Sequence, residues 1–334
     1  MRTMEIKGIL VTMLAPFENH MANCGEKLLG NASSIKRRPD GRVYVSGQMQ
    51  RHVLFSAIDR LNYSDSQRGN TFVSNGDGVT NMIESDLRAD MGGFMHPSKG
   101  DYSGRRTAPL SVTPAIAMNE SEVGRDLLMR LKVNTNSSDS NDQAIATREY
   151  SQSDMMHMSF FLDVTALSIS KGYRYENSFC VEAVYHKHAT EAERKRRVEL
   201  YLKATRLMND YANQARNAVC GEPQQVLIVF DNELGRKASR YFVAGEIERA
   251  NILKELDVRG AKYFIGDDRT ENSVLQAYTD ALNFLEDNKL FTCDSDDTCV
   301  ETYQSVYGNS TSKEVKKTDK KSTEKNKEIP GLFD

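Results

Sequence analysis

The chain has no tryptophan and only 5 cysteines and 7 prolines in 334 residues. Cysteines that are few and odd in number do not make a disulfide framework, so we predict a cytoplasmic protein in a reducing compartment. No apolar run approaches the roughly 18–20 residues that span a bilayer, and Glu5 and Lys7 interrupt the apolar N-terminus, so we expect neither a membrane span nor a signal peptide. The net charge of −3 means that local patches, not the whole surface, would hold an anionic partner.

Familiar catalytic motifs are also missing, with no GxxxxGK[ST], GxGxxG or HExxH in the sequence. Cys293 and Cys299 flank an acidic loop, but a metal site there would need two further ligands. Asp86 and Asp90, spaced i and i+4, could hold Mg²⁺ or transfer protons, although a solvated helix face is the commoner explanation. We therefore predict no enzyme, no cofactor and no metal site.

The most informative stretch covers residues 31–61. Cationic side chains surround the turn Pro39-Asp40-Gly41, which predicts an exposed loop or hairpin tip. After a short β-favouring segment, Ser46 takes the N-cap position of a helix whose apolar residues repeat with a period of 3.6. Free backbone N–H groups beside these cations would suit phosphate oxygens. The alternative is a solvated loop before an ordinary amphipathic helix.

Apolar patterning predicts the element order strand, helix, strand, strand, helix, strand. Residues 6–16 are almost continuously apolar, as in a central strand, and the remaining elements are strands over 110–117, 158–169 and 225–230 and a long helix over 190–218. This order matches the split βαβ, ferredoxin-like ladder. RNA-recognition domains share that ladder, but their aromatic sheet motif is absent here, so RNA would bind through its backbone and the protein's loops. The basic cluster at residues 194–197 is interpreted as a solvated helix face.

Polar excursions separate these elements. Residues 62–81 are glycine-rich and too long for a connector, which indicates an insertion. Residues 134–143 are almost purely polar, and the flanking segments 127–133 and 144–150 are predicted to pair as a long hairpin. Gly92-Gly93 ends a short helix within residues 83–95, either as a C-cap or because another group comes close to this backbone. Residues 310–327 have the composition of a disordered tail.

Four segments taken together resemble the DevR-like family: GNASSIKRRPDGRVYVSGQMQRHVLFSAI, LRADMGGFM, RRTAPLSVTPAIA and MSFFLDVTALS. These proteins are backbone ("Cas-seven") subunits of type I CRISPR Cascade complexes, within the repeat-associated mysterious protein superfamily. The resemblance extends from about residue 4 to about residue 230. The glycine-rich C-terminal loop of many relatives is not evident.

The resemblance implies an α+β fold, a modified RNA-recognition (ferredoxin-like) palm with inserted finger and thumb segments. Residues 1–308 would form one domain, with the finger at about 62–95 and the thumb within 119–156, and residues 309–334 a lysine-rich disordered tail. The implied function is a CRISPR RNA-binding backbone subunit that polymerises along the guide in a type I Cascade effector complex for RNA-guided DNA target recognition. The implied partners are CRISPR RNA, the target DNA strand, further copies of the chain in a helical filament and other Cascade subunits.

The residues that the resemblance places along the RNA backbone are polar or cationic and belong to three loops or helix starts. They are Asn31, Lys36, Arg37, Arg38, Arg42, Gln48, Gln50, Arg51, His52, Arg105 and Arg106. Two alternatives stay open. One is a type III-like backbone subunit with metal-dependent RNase activity, for which Asp86 or Asp90 would be the candidate carboxylate. The other is an α/β enzyme that uses the cysteines and histidines.

Overall fold

The computed structural model describes residues 4–23, 25–28, 32–74, 80–96, 104–132 and 142–307. In these ranges the strands are β1 (Glu5–Ile6), β2 (Gly8–His20), β3 (Glu26–Lys27), β4 (Ala32–Ser34), β5 (Tyr44–Val45), β6 (Phe94–His96), β7 (Gly104–Arg106), β8 (Leu110–Val112), β9 (Ala115–Ala117), β10 (Val123–Lys132), β11 (Asp142–Asp163), β12 (Ile169–Glu176), β13 (Phe179–Lys187), β14 (Gln225–Asp231), β15 (Lys262–Asp267) and β16 (Lys289–Leu290). The helices are α1 (Gly47–Ser64), α2 (Leu87–Gly92), α3 (Glu191–Arg206), α4 (Glu246–Arg259), α5 (Val274–Asp287) and α6 (Tyr303–Tyr307), with a 3₁₀ turn over Lys237–Arg240. None of these helices is long and apolar enough to cross a membrane. The predicted tail lies outside the described residues.

The central sheet has the strand order β15, β14, β2, β11, and β8 and β9 pair with the free side of β11. All of these pairs are antiparallel. The predicted strand over 110–117 is interrupted at Thr113-Pro114, because proline has no N–H for the ladder. The chain order β2, α1, β8 and β9, β11, α3, β14 confirms the predicted alternation and the mixed α+β class, and β15 adds a further edge strand.

Strand β2 is buried on both of its faces, which confirms the predicted central strand. Ile9, Val11 and Met13 pack into a core with residues of α1, α3 and α5. Leu10 and Leu14 point the other way and pack against the 3₁₀ turn and α4. Since side chains alternate along a strand, a strand covered on both sides needs apolar residues at nearly every position.

Strand β11 is 22 residues long and serves two parts of the molecule. Its first part pairs with β10, from Lys132↔Asp142 to Val123↔Ser151, which confirms the predicted hairpin arm. From Ser151 onward the same strand pairs with β2, down to Asp163↔Gly8.

A second hairpin, β12 with β13, was not predicted. The helix predicted over 190–218 is too long, since α3 ends at Arg206.

The segment around α2 is attached to the rest of the fold in part through one buried carboxylate. Asp90 has 0% exposure, so the prediction that it lies on a solvated helix face is wrong. One oxygen accepts from Arg106 Nη2 at 2.6 Å and from the Ser168 backbone N–H at 2.8 Å. The other accepts from Arg197 Nη1 and from Ser168 Oγ, both at 2.7 Å. These contacts join α2, β7, α3 and the connection that follows β11.

The basic cluster of α3 is also buried, contrary to its predicted solvation. Arg194 and Arg197 are fully buried and Arg196 nearly so. Arg194 donates to the carbonyls of Leu167 and Val164 at 3.0 and 2.9 Å. Buried guanidinium groups are tolerated only when nearly every donor has a partner, and here backbone carbonyls and carboxylates supply those partners.

We expect Asp90→Asn to lower the free energy of unfolding by about 3–5 kcal/mol, because two buried guanidinium groups would lose their common counter-ion. Urea denaturation followed by circular dichroism measures this change. Asp59→Asn, an exposed position on α1, is the matched control and should shift stability by no more than about 0.5 kcal/mol. If Asp90→Asn lowered the free energy of unfolding no more than the control does, Arg106 and Arg197 would not need Asp90 as their counter-ion.

The same pair of proteins should show a defined pH dependence. Burial alone would raise the pKa of Asp90, but the charges of Arg106 and Arg197 outweigh burial and hold that pKa below its ordinary value of 3.8. The stabilisation by Asp90 is therefore complete above the ordinary value and is lost as the pH falls through the lower folded-state pKa. The stability difference between the parent and Asp90→Asn should stay constant from about pH 7 to about pH 5 and narrow only in stronger acid. A difference that already narrows between those two values would indicate a raised pKa.

Candidate nucleic-acid interface

The predicted cationic hairpin tip is a tight turn in the structure. The Arg38 N–H donates to the Arg42 carbonyl at 2.9 Å, and the Gly41 N–H donates to the Arg38 carbonyl at 3.0 Å. Gly41 has a φ of +79°, a left-handed conformation that glycine adopts without strain. Arg37 forms an isolated antiparallel bridge with Val43 just below the tip. The turn therefore presents its side chains from a short, hydrogen-bonded ribbon.

The charges on this turn are only partly neutralised. Arg42 donates to Asp40 Oδ2 at 2.9 Å through Nε and at 2.7 Å through Nη2, and Arg38 Nε lies 3.6 Å from the same oxygen. The hydrogen bond from Arg42 lowers the pKa of the exposed Asp40 carboxyl. Arg37 is exposed, and no ion pair of it occurs among the described residues. The turn itself thus carries one carboxylate against three guanidinium groups, and the carboxylate of Glu120 lies beside Gly41.

A buried hydrogen-bond chain fixes the base of the turn to the sheet. The Val43 N–H donates to Ser121 Oγ at 3.0 Å, and Ser121 Oγ donates to Asp154 Oδ1 at 2.5 Å. Asp154 Oδ2 lies 2.7 Å from Nε2 of the buried His20. The cationic turn therefore has a set position relative to β2 and β11.

Lys36 and Tyr44, which flank the turn, are joined by a third residue. Asn23 Nδ2 donates to the Lys36 carbonyl at 2.9 Å and to the Tyr44 carbonyl at 3.0 Å. The Lys36 backbone is thereby held beside the strand that leads into α1. Its side chain is half-buried, so it is less available to a ligand than Arg37 or Arg38.

Helix α1 begins as predicted. Ser46 is its N-cap, and its hydroxyl accepts from the Met49 N–H at 3.2 Å. Beside this end of the helix lies a groove of about 660 Å³. Its wall includes Gln48, Arg51 and His52, which the resemblance assigns to RNA binding. It also includes Phe55 and Arg88, which the sequence analysis did not assign to the site.

Two guanidinium groups in this groove lie over the same aromatic ring. The guanidinium carbon of Arg51 is 5.6 Å from the centroid of Phe55, and that of Arg88 is 5.2 Å from it. Arg51 also donates to the Gly92 carbonyl. Burial, and then the charge of Arg88, lower the pKa of Arg51. The groove is therefore a concentration of positive charge, lined in part by an apolar ring.

Two of the predicted RNA contacts have structural roles instead, and we remove them from the set. Gln50 is fully buried, and its Oε1 accepts from Tyr211 Oη at 2.9 Å. Arg106 is buried in its ion pair with Asp90 and donates to the carbonyls of Ala166 and Ile169 at 2.6 and 3.0 Å. The Gln50 side chain is fully buried, and the Arg106 side chain is only 5% exposed.

The remaining residues predicted to contact RNA lie partly in the groove and partly outside the described residues. His52 is exposed, and its Nε2 lies 3.7 Å from Asp210 Oδ2. Arg105 belongs to β7, but its side chain lies outside the described part of the structure, as does the whole of Asn31. The structure thus brings Gln48, Arg51 and His52 together in one groove.

The two carboxylates considered for the RNase alternative accept hydrogen bonds from other groups of the protein. Asp86 is the N-cap of α2, and its side chain accepts from the Arg88 N–H at 2.9 Å, the Ser74 N–H at 3.2 Å and Thr80 Oγ1 at 2.6 Å. With Asp90 also buried in ion pairs, neither carboxylate is open to a metal ion or a substrate.

The acidic loop between Cys293 and Cys299 binds a lysine of the protein itself. Lys187 Nζ lies 2.7 Å from Asp297 Oδ1 and donates to the carbonyls of Asp294 and Asp296 at 3.1 and 3.2 Å. Both cysteines are free. No group of three or more His, Cys, Asp or Glu side chains suited to a metal ion occurs in the described ranges.

Comparison with known proteins identifies the family. The model of the family described as CRISPR-associated negative auto-regulator DevR/Csa2 matches residues 23–218. A chain of a solved structure titled "CRISPR RNA-guided surveillance complex" is similar, with 12% identity over 86% of this chain and 95% of that chain and a TM-score of 0.47. A chain of "CRISPR RNA-guided surveillance complex, pre-nicking" has 9% identity over 86% and 96% of the two chains and a TM-score of 0.47. A search of curated proteins gives no match.

The family match covers more than half of the chain and includes the cationic turn, the groove at the start of α1 and the β10–β11 arm. Its extent agrees with the resemblance drawn from the four sequence segments. The chain therefore belongs to the DevR/Csa2 family of CRISPR-associated proteins.

Proposed function

We propose that this chain is a CRISPR RNA-binding backbone subunit that polymerises along the guide in a type I Cascade effector complex for RNA-guided DNA target recognition. The observation that carries the proposal is the grouping of Gln48, Arg51 and His52 around one open groove, a short strand away from the exposed Arg37 and Arg38. Cationic side chains along one track, on a chain whose net charge is −3, suit a ligand with regularly spaced phosphates. Family membership supports the same role.

In this proposal the RNA is held by its backbone rather than by its bases. The sheet is the palm of a modified RNA-recognition fold, but the face carrying Leu10, Leu14 and Leu227 is covered by α4 and the 3₁₀ turn. Bases therefore have no bare sheet face on which to stack. Phosphate contacts carry no sequence information, which suits a subunit that must accept guides of any sequence.

The arm formed by β10 and β11 supports a contact between copies of the chain. Leu127, Met129 and Ile145 are 65%, 64% and 50% exposed. Met129 is directly opposite Ile145 in the ladder, and Leu127 lies two residues from Met129, so the three share one face. We propose that this arm is the thumb within residues 119–156, that the finger lies at about 62–95, and that a neighbouring copy covers the apolar face of the arm.

The proposed partners are CRISPR RNA, the target DNA strand, further copies of the chain and other Cascade subunits. We propose no enzymatic role. The type III-like RNase alternative has less support, because its candidate carboxylates cap a helix and hold buried arginines. An enzyme built on the cysteines and histidines has no clustered set of such residues among those described.

Replacing Arg37 and Arg38 together with Gln should weaken RNA binding equally for unrelated RNA sequences, because phosphate contacts do not read bases. The salt dependence should also become shallower, by up to about 0.7 per lost contact on a log–log plot for a single strand. Fluorescence anisotropy at several salt concentrations measures both quantities. Arg240→Gln with Lys254→Gln removes two exposed cations outside the family match and is the control. An unchanged affinity and slope for the Arg37 and Arg38 variant would remove the turn from the RNA track.

Replacing Leu127 and Met129 together with Ser should separate assembly from RNA binding. The free energy of unfolding of the monomer should change by no more than about 0.5 kcal/mol, since both side chains are exposed. Affinity for an RNA that accommodates one subunit should also be unchanged. On longer RNA the variant should lose length-proportional stacking, measured by mass photometry. Leu234→Ser, at another exposed leucine, is the control, and regular arrays formed by the arm variant would show that the arm does not join neighbouring copies.

A further inference from the structure

The groove beside α1 contains an arginine that neither the sequence analysis nor the family resemblance assigned to any role. Arg88 comes from α2, in the inserted segment, whereas Arg51 and Phe55 come from α1. Both guanidinium groups lie over the ring of Phe55, and no carboxylate pairs with either of them in the described part of the chain. Two like charges held together without a counter-ion are unfavourable in the protein alone.

The hydrogen bonds of these two residues point to a missing acceptor. Arg88 Nε is buried and has no hydrogen-bond partner among the described residues. The only acceptor bound by the Arg51 guanidinium there is the Gly92 carbonyl. A buried donor without a partner costs about 1–3 kcal/mol, so such groups are rare unless a ligand completes them. An oxyanion with several acceptor atoms would satisfy both arginines at once.

The local backbone is shaped to leave Arg51 in this position. A Cβ atom at Gly92 would overlap Arg51 Nη2 and lie 3.2 Å from Phe55 Cζ. Gly93 ends α2 with a φ of +65°, so the two glycines have different uses. Gly93 makes the turn, and Gly92 admits the guanidinium. Both explanations offered for the Gly92-Gly93 pair therefore apply, one to each residue.

We propose that Arg51 and Arg88 together form a phosphodiester-binding site for RNA, and that the inserted finger segment contacts the guide through Arg88. This inference rests on the proposed RNA-binding function and adds to it a contact from a second element. The groove of about 660 Å³ is open enough for a nucleotide backbone. RNA running through it would touch the palm helix and the finger segment at the same point.

The test compares Arg88→Gln with Arg51→Gln and with Arg60→Gln, an exposed arginine on α1 outside the groove. At about 0.1 M salt, loss of one single-strand phosphate contact should weaken RNA binding about fivefold and reduce the log–log salt slope by about 0.7. We expect both changes for Arg88→Gln and neither for Arg60→Gln. Binding of single-stranded DNA of the same length, measured in parallel, should be weakened by Arg88→Gln to a similar degree, because both nucleic acids present phosphodiester groups. An RNA affinity and salt slope of Arg88→Gln equal to those of Arg60→Gln would overturn the assignment of Arg88 to the RNA-binding site.

A second measurement separates a ligand site from a structural arginine. Without RNA, Arg88→Gln should leave the thermal midpoint unchanged or raise it, because it removes a repulsion, whereas Arg197→Gln should lower it. Sodium sulfate should raise the midpoint of the parent more than sodium chloride of equal ionic strength. Because sulfate also stabilises proteins without binding to a site, this difference should be smaller in Arg88→Gln than in the parent and in Arg60→Gln. If the parent binds RNA, Arg51→Gln weakens that binding and Arg88→Gln binds as the parent does, the inference fails while the proposed function stands. If the parent does not bind RNA at all, the proposed function fails.

Discussion

The fold depends on one interaction, the buried contact of Asp90 with Arg106 and Arg197. Asp90 belongs to a six-residue helix that is too short to be stable alone. Its ion pairs attach that helix to the rest of the fold, together with Leu87 and Met91, which pack in the main core. A second carboxylate, Glu193, accepts from Arg197 Nε at 2.8 Å and extends the network along α3. Removing any member would leave a buried charge without its partner, so the network holds a single arrangement and tolerates few others.

This network also sets the geometry of the groove. Because Asp90 and Arg106 fix α2 from its buried side, Arg88 on the same short helix is directed to the opposite side, toward Phe55. The Gly92 carbonyl then meets Arg51. A buried ionic cluster on one side of α2 thus positions a cationic surface on the other.

Features decided by neighbouring residues could be predicted from the sequence. The turn at Pro39-Asp40-Gly41, the cap at Ser46 and the pairing of the strands on either side of residues 133–141 each follow from local chemistry or a short period. Each is present in the described residues. The burial of charged residues could not be predicted in this way. Asp90 and Arg197 are 107 positions apart, and nothing in a helix that reads as charged on all sides shows which charges have distant partners. The interpretation of residues 194–197 as solvated failed for that reason, and Arg88 was overlooked together with them.

One error in the candidate site was avoidable. Gln50 has the helical spacing of the core residues Val53, Leu54 and Ala57, at three, four and seven positions, so the period itself places it on the buried face. Gln48, Arg51, His52 and Phe55 follow the same spacing on the other side and line the groove together. Treating the first turns of α1 as a uniform polar patch ignored this division.

The length of β11 has a consequence for how this molecule can vary. One uninterrupted strand belongs both to the arm and to the central sheet, with Ser151 at the junction. Inserting or deleting a single residue within it would turn every side chain on one side of the change to the opposite face of its sheet. Changes in the reach of the arm are therefore confined to paired additions in both strands or to the segment that connects them. Within the paired strands, the reach of the arm is thus adjustable only in steps of about two residues per strand, or about 7 Å.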